Sequence, residues 1–162
     1  MSDRRINTGH PYAAPFAARS AARLGAAMAL YQLDMAGGPV SALVEEFRAH
    51  RLGARLDEEV ELRAADEPFF EDLVRGAEAR AVEIDALLTA ALSEGWTLGR
   101  LDRPLRAVLR AAAYELLARP DVPAGTVIDE YLEVVKALGD KAQAGFANGV
   151  LDRVAREVRA PA

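Results

Sequence analysis

The stretch that decides the fold is RPLRAVLRAAAYELLARPDVPAGTVIDEYLEVVKALGD, residues 103–140. On both sides of RPDVP (119–123) its apolar residues recur every three or four positions, which is the spacing of amphipathic helices. Each proline of RPDVP disfavours the helical conformation of the residue before it, and Gly139 is a typical helix end. The stretch therefore predicts two helices, at 104–118 and 123–138, separated by a short break.

The same helical spacing extends over most of the chain. No segment shows strand alternation over more than four residues, so the predicted fold is all-α. Its simplest partition is two three-helix subdomains, at about 15–95 and 96–160. The four remaining helices are predicted at about 15–35, 40–52, 66–93 and 140–159.

Local start signals support these helices. Pro15 is favoured in a first helical turn, and Asp66 can cap the helix that follows it. Asp140 and Gln143 have the spacing of a capping box, which predicts the start of the last helix. Residues 1–14 lack periodicity and are predicted to be a mobile arm. Residues 53–65 fit neither the helical nor the strand period, so we predict a loop with possible short elements.

The composition of the chain limits the kinds of chemistry that it can carry out. The chain has 162 residues, of which 51% are hydrophobic and 28% charged, as expected for one folded domain. It has no cysteine, which excludes disulfides and thiolate chemistry, and its two histidines lie far apart, so we predict no metal or cofactor. Neither a membrane-spanning run nor a secretory signal is evident, so we expect a cytoplasmic protein.

The net charge of -5 is unevenly distributed. Residues 1–35 carry four arginines against two acids, residues 36–95 six against fourteen, and residues 96–162 ten bases against nine acids. The first and last of these three regions could therefore bind an anion, whereas the acidic middle region could not. This pattern is compatible with nucleic-acid binding on a restricted surface.

Two glycines interrupt the last predicted helix, in AQAGFANGVLD (142–152). At 100° per residue, Gly145 and Gly149 lie on the polar face with Lys141 and Asn148, whereas Phe146 lies on the apolar face. One hypothesis is that the glycines leave bare backbone that another chain or a nucleotide can approach. The alternative is that a neighbouring helix or the long loop packs there.

Arg19 and Arg23 lie four residues apart on the first helix. They are predicted to project opposite its apolar face, where they form a cationic ridge. The simpler interpretation is that the pair is only a solvated face, because exposed arginines are common.

Several segments, in order and over nearly the whole chain, resemble the bacterial transcription antitermination factor NusB family. They are ARSAARLGAAMALYQLDM (18–35), FFEDLVRGA (69–77) and the region 101–158, in which the most specific pieces are AVLRAAAYEL, RPDVP and FANGVLD. The resemblance implies an all-helical, non-catalytic protein of two three-helix subdomains. It also implies pairing with NusE, a ribosomal small-subunit protein, and joint binding of the single-stranded boxA element of nascent RNA. Through these contacts the family acts on the RNA polymerase antitermination complex in ribosomal RNA operons.

The resemblance also implies which residues contact RNA. Arg19 and Arg23 match the ends of the family's arginine cluster on the first helix. Phe146, Asn148 and Gly149 match the family pattern in the last helix, and the neighbouring Lys141 offers a cation. Two positions depart from that pattern, since Ala142 replaces an acidic residue and Gly145 replaces a lysine. For Phe146, packing in the core is the competing interpretation, because it lies on the apolar face.

Three other functions compete with RNA binding. An enzyme is disfavoured because adjacent pairs such as Tyr114 and Glu115 point in different directions from a helix. The NusB-like domain of ribosomal RNA cytosine methyltransferases is disfavoured because no glycine-rich cofactor region follows in this sequence. A scaffold that binds only protein, as a possible homodimer, would use Leu30 and Leu33 beside the arginines.

Overall fold

The computed structural model describes residues 13–52 and 65–159, with side chains from residue 18 onward and without that of residue 51. Within these ranges the regular structure is helical and no strand is present, which confirms the all-α prediction. None of the helices there is both long and apolar enough to cross a membrane. The helices are α1 (Ala13–Ala36), α2 (Val40–Glu46), α3 (Glu67–Ala79), α4 (Ala81–Ala91), α5 (Arg103–Ala118), α6 (Ala124–Leu138) and α7 (Ala144–Val158).

Helix α5, which comes from the opening stretch, is central to the fold. It packs against α1, α3, α4, α6 and α7. Ten of its sixteen residues are buried, and several of these are alanines, whose small side chains allow neighbouring helices to approach closely. The RPDVP break is confirmed, because α5 ends at Ala118 and α6 begins at Ala124.

The prediction of one continuous helix from 66 to about 93 is wrong. Asp66 caps α3 as predicted, since its carboxylate accepts a hydrogen bond from the Phe69 amide at 3.1 Å. The helix then breaks at Arg80, whose φ of -108° and ψ of 26° leave the helical region. The break lets α3 pack on α1 while α4 packs on α7, so tertiary packing overrides the helical spacing that the sequence shows across 66–93.

Two other helix ends differ from the predictions. Helix α2 ends at Glu46, and a π-helical turn, Phe47–Arg51, follows it directly. The last helix is preceded by a 3₁₀ turn, Lys141–Gln143, in which the Asp140 carboxylate accepts from the Ala142 amide at 2.9 Å. The predicted capping box is incomplete, because the Gln143 amide group donates to Asp102 instead.

Some predictions concern residues that the structure does not describe. The predicted arm lies outside the described residues except for positions 13 and 14, which are helical, and the predicted loop lies outside them except for position 65. The buried apolar residues form one cluster to which both predicted subdomains contribute. The division into subdomains therefore stays a prediction.

Candidate nucleic-acid interface

Arg19 lies near the start of α1 and is available to a ligand. Its side chain is 38% exposed, and its one ion pair with a described residue is long, with Nε 3.7 Å from the Asp66 carboxylate. The guanidinium lies 4.4 Å from the centroid of the Phe69 ring. This stacking holds the cation against the ring, and the side chain stays partly exposed, so the predicted exposure of Arg19 is confirmed in part.

Arg23 is not on the surface, so the prediction that it projects to solvent is wrong. Its side chain is 4% exposed. Nε and Nη2 donate to the Glu115 carboxylate at 2.9 and 2.7 Å, and Nη1 donates to Glu130 at 3.0 Å. The physical reason is that α3, α5 and α6 all pack on α1 and cover most of its circumference, including this polar position.

Arg23 belongs to a buried polar network that the sequence analysis missed. Glu115 is fully buried and also accepts a hydrogen bond from the Tyr131 hydroxyl at 2.9 Å, while the Ser20 hydroxyl donates to Glu130 at 2.6 Å. Burial alone would lower the pKa of Arg23, but the hydrogen bond and charge of Glu115 outweigh it and raise the pKa overall. The sequence signal was available: Glu115 is an acid within an otherwise apolar run.

Burial fixes the protonation state of this network. Desolvation raises the pKa of Tyr131 well above its ordinary value, and the negative charge of Glu115 raises it further. Tyr131 therefore stays a neutral donor, and Arg23 stays a cation, at neutral pH. Together they hold α1, α5 and α6 in one arrangement.

Arg119 is a second cation that the sequence analysis missed. Its guanidinium lies 4.9 Å from the Phe69 centroid, on the same ring that Arg19 contacts, and its side chain is 25% exposed. It pairs with Asp72 at 3.0 Å and Asp121 at 3.4 Å. Arg19 and Arg119 therefore meet at one buried ring, where Asp66, Asp72 and Asp121 offset their charges; we call this cluster the arginine corner.

Helix α7 presents the predicted glycine strip to solvent. Lys141, Gly145 and Asn148 are exposed. A Cβ atom on Gly145 would meet nothing within 4 Å, and one on Gly149 would meet only the Arg153 guanidinium, at 3.7 Å. Among the described residues no neighbouring helix packs on the strip, so the alternative is wrong as far as a helix is concerned. Its other form, packing by the long loop, concerns residues outside the described ranges and stays a prediction.

Phe146 has a mixed role. It is half-buried against the core, as the packing interpretation predicted, but its ring also borders an open groove. The Trp96 ring lies beside it, with centroids 5.8 Å apart and planes at 55°. Trp96 was not identified from the sequence, although it is the only tryptophan of the chain.

The two sets of candidate RNA contacts lie toward opposite ends of α1. Ser20 near its start bonds Glu130 of α6, whereas Met35 near its end lies with Leu138, the last residue of α6. At 1.5 Å per residue, roughly 20 Å of helix separates the Arg19 corner from the end near Lys141. An apolar groove of about 470 Å³ lies near that end, lined by Met28, Tyr31, Gln32, Met35, Ala36, Pro104 and Leu138.

The predicted homodimer surface is not exposed as expected. Leu30 is 6% exposed and belongs to the core, and Leu33 is half-buried against it.

Tyr114 and Glu115 do point apart, as predicted, because Tyr114 donates to Asp72 while Glu115 bonds Arg23.

Sequence comparison shows what the chain is similar to. A family model described as NusB family matches residues 20–156. The transcription antitermination protein NusB of Sphingopyxis alaskensis is 55% identical over 87% of this chain and 94% of its own length. The protein of the same name from Caulobacter vibrioides is 46% identical over 87% and 94%, respectively.

Structure comparison gives the same family. Crystalline T. maritima NusB is 34% identical, with a TM-score of 0.70 over 86% of this chain and 91% of that one. A chain from a crystal structure of antitermination factors NusB and NusE in complex with dsRNA has a TM-score of 0.71 over 85% and 96%, and at 24% identity it shows the fold alone. With the family model matching most of its length, this helical chain belongs to the NusB family.

Proposed function

We propose that this protein is a transcription antitermination factor that binds boxA-type single-stranded RNA together with a NusE-type partner. The observation that carries the proposal is the accessible backbone at Gly145 and Gly149 beside Lys141 and Asn148, in a chain of this family. Bare backbone admits a nucleotide closely, and the lysine supplies charge for phosphate. The protein would act in the cytoplasm as a binding module, not as an enzyme.

Arg19, at the arginine corner, supplies the other proposed RNA contact. Arg19 can donate to phosphate because its ion pair with Asp66 is long and, within the described part of the chain, no other ion pair engages it. Arg119 lies 4.9 Å from the centroid of the same Phe69 ring, but Asp72 and Asp121 already pair with its guanidinium. Arg23 has a different role, since its guanidinium is already occupied by two carboxylates: it positions the helix that presents Arg19.

The charge of the molecule favours binding together with a partner. The chain carries a net charge of -5, so its overall field repels RNA and only local patches attract it. A NusE-type polypeptide that contacts the same RNA would add affinity through joint binding. The structurally similar chain from the complex of NusB and NusE with dsRNA supports this choice of partner. Action on polymerase in ribosomal RNA operons would follow from this joint binding.

The test is a titration of fluorescently labelled boxA RNA with this protein, in the presence and absence of NusE. We expect weak binding by the protein alone and much tighter binding with NusE. A scrambled RNA of equal length and composition is the control. Equal affinity for the two RNAs in the presence of NusE would contradict the proposal.

A second candidate is a scaffold that binds only protein. It is favoured by the apolar groove near the end of α1, where Met35 is 53% exposed. If this candidate is right, Met35→Glu abolishes NusE binding in the absence of RNA, and RNA affinity stays negligible with or without NusE. Light scattering of the protein alone would detect a homodimer, and a monomer at micromolar concentration would exclude one.

A further inference from the structure

We propose that Asp66 limits the affinity of this protein for RNA, because it holds a fixed negative charge beside Arg19. The inference rests on the proposed RNA-binding function and extends it to a residue that need not touch the RNA. Asp66 acts through Arg19: it sets how strongly that cation attracts a phosphate.

Asp66 is held rigidly between two helices. Its main-chain amide donates to the Ala18 carbonyl of α1 at 3.0 Å, and its Oδ1 accepts from the Phe69 amide of α3 at 3.1 Å. The other carboxylate oxygen, Oδ2, lies 3.7 Å from Nε of Arg19. A carboxylate held at two points cannot rotate away from an approaching phosphate without breaking the cap of α3.

Arg19 is held in place as well. Its guanidinium lies 4.4 Å from the centroid of the Phe69 ring, which is itself buried. The distance of 3.7 Å to Asp66 is longer than a charge-assisted hydrogen bond, which spans about 2.7–2.9 Å. A long and partly exposed pair of this kind adds little to stability, so its main effect is on the electric field that a third charge meets.

The other two carboxylates of the arginine corner are engaged by a different cation. Asp72 and Asp121 pair with Arg119, at 3.0 and 3.4 Å. Within the described part of the chain, Asp66 pairs with Arg19 alone. The charge of Asp66 is therefore the one that acts most directly on Arg19.

The size of the effect follows from the exposure of the two charges. Their side chains are 38% and 31% exposed, so solvent screens the repulsion between the carboxylate and a phosphate bound at Arg19. The repulsion should then be comparable to the energy of an exposed ion pair, which corresponds to a change in affinity of a few-fold. Because phosphate contacts carry no sequence information, the change should be the same for every RNA.

The competing interpretation is that Asp66 serves only to cap α3. Asparagine caps a helix about as well as aspartate does. Asp66→Asn therefore removes the charge and retains the cap. If capping were the sole role of Asp66, this variant would bind RNA with unchanged affinity, which would overturn the inference.

The experiment is a titration of labelled boxA RNA, and of a scrambled RNA, with the complex of this protein and NusE. Asp66→Asn should tighten the binding of both RNAs by about threefold. In the Arg19→Ala background the same substitution should give no gain, because the cation through which Asp66 acts is absent. Thermal melts check that every variant is folded.

Glu83→Gln is the matched control. Glu83 is an exposed carboxylate of α4 that pairs with Arg80 at 2.9 Å, so its replacement changes the net charge by the same amount at another place. RNA affinity should stay unchanged at about 0.1 M salt, where exposed charges more than about 10 Å apart are largely screened. A gain equal to that of Asp66→Asn would show that overall charge sets the affinity, and it would overturn the inference.

The outcomes separate the inference from the proposed function. If the unmodified complex prefers boxA RNA while Asp66→Asn changes nothing, the inference is wrong and the proposed function stands. A gain that persists in the Arg19→Ala background would show that Asp66 does not act through Arg19, which also overturns the inference. If the unmodified complex shows no preference for boxA RNA over the scrambled RNA, the proposed function fails and the inference fails with it.

Discussion

Arg23 and Glu115 form a bidentate ion pair in the protein interior, with Nη2 2.7 Å from one carboxylate oxygen and Nε 2.9 Å from the other. The two residues are 92 positions apart in the sequence. Both side chains are almost completely removed from water. The pair joins α1 to α5, the central helix. Its hydrogen bonds compensate for the loss of hydration of both charges, which is the condition for a buried pair to be tolerated.

The first prediction concerns this pair. Arg23→Ala leaves Glu115 charged and buried, so it should destabilise the fold by about 3–5 kcal/mol in urea denaturation. The double variant Arg23→Met with Glu115→Leu should cost less than the sum of the two single variants, because neither charge is left alone. Unchanged stability of Arg23→Ala would show that Arg23 is not held as described.

The second prediction concerns Arg19. Arg19→Ala should weaken boxA binding and reduce the slope of log affinity against log salt by about 0.7, the value for one phosphate contact on a single strand. Melting temperature should change little, because the Arg19 ion pair is long and partly exposed. The matched control is Arg80→Ala, which removes another exposed arginine that pairs with Glu83. Equal salt slopes for the Arg19 variant and the unmodified protein would exclude Arg19 as a phosphate contact.

The third prediction concerns Gly149. Gly149→Ala should raise the free energy of unfolding by up to about 1 kcal/mol, since the added methyl group meets only the flexible end of Arg153 and alanine favours the helix. Gly149→Leu should fold normally but bind RNA with NusE more weakly, because its side chain covers the bare backbone. Thermal melts and RNA titration separate the two effects. A leucine variant that unfolds would mean that the strip is packed.

The fourth prediction concerns Gly76. A Cβ at this position would collide with the Tyr114 ring, because α3 and α5 approach closely there. Gly76→Ala should therefore destabilise the protein by about 1–3 kcal/mol despite the better helix propensity of alanine. Gly125→Ala is the control, since that glycine lies in α6 with open space around it and should be neutral or stabilising. Equal stability of both variants in urea denaturation would contradict the close approach.

The fifth prediction concerns pH. Burial, with the hydrogen bond to Asp72 adding to it, raises the pKa of Tyr114 to about 12. The ordinary value in an unfolded chain is about 10, so the folded state holds this proton more tightly. Stability should be constant below about pH 10 and decrease as pH rises toward 12, because only the unfolded state releases the proton in that range. Tyr114→Phe should be less stable at neutral pH but lose less stability in this range. The remaining decrease is attributed to Tyr131, whose pKa is also raised.

Much of the fold could be predicted from local patterns. The break at RPDVP, the Asp66 cap and the apolar face of α7 each depend on residues within a few positions of one another, so sequence spacing is sufficient to identify them. The break at Arg80 could not be predicted, because nothing within FFEDLVRGAEARAVEIDALL marks it. It accompanies the packing of α3 on α1 and of α4 on α7, while both helices also pack on α5.

The candidate site was predicted less completely. Lys141, Asn148, Gly145 and Gly149 were placed correctly on an open polar face, since the last helix packs through one side only. Arg23 was misplaced, because projection of a single helix cannot show how many neighbours cover it. Trp96 was missed because it lies between α4 and α5, and its partner Phe146 lies 50 positions further along the chain, in α7.

The sequence by itself determined the all-α class, most of the helices and the family, because helical periodicity and motif order are local properties of the chain. Only the tertiary structure decided which charges are buried and which rings meet. Burial of Arg23 requires Glu115 and Glu130 from two other helices, and the Trp96 and Phe146 pair forms only when distant segments pack. Contacts of this kind are set by the arrangement of helices in space, which no local spacing specifies.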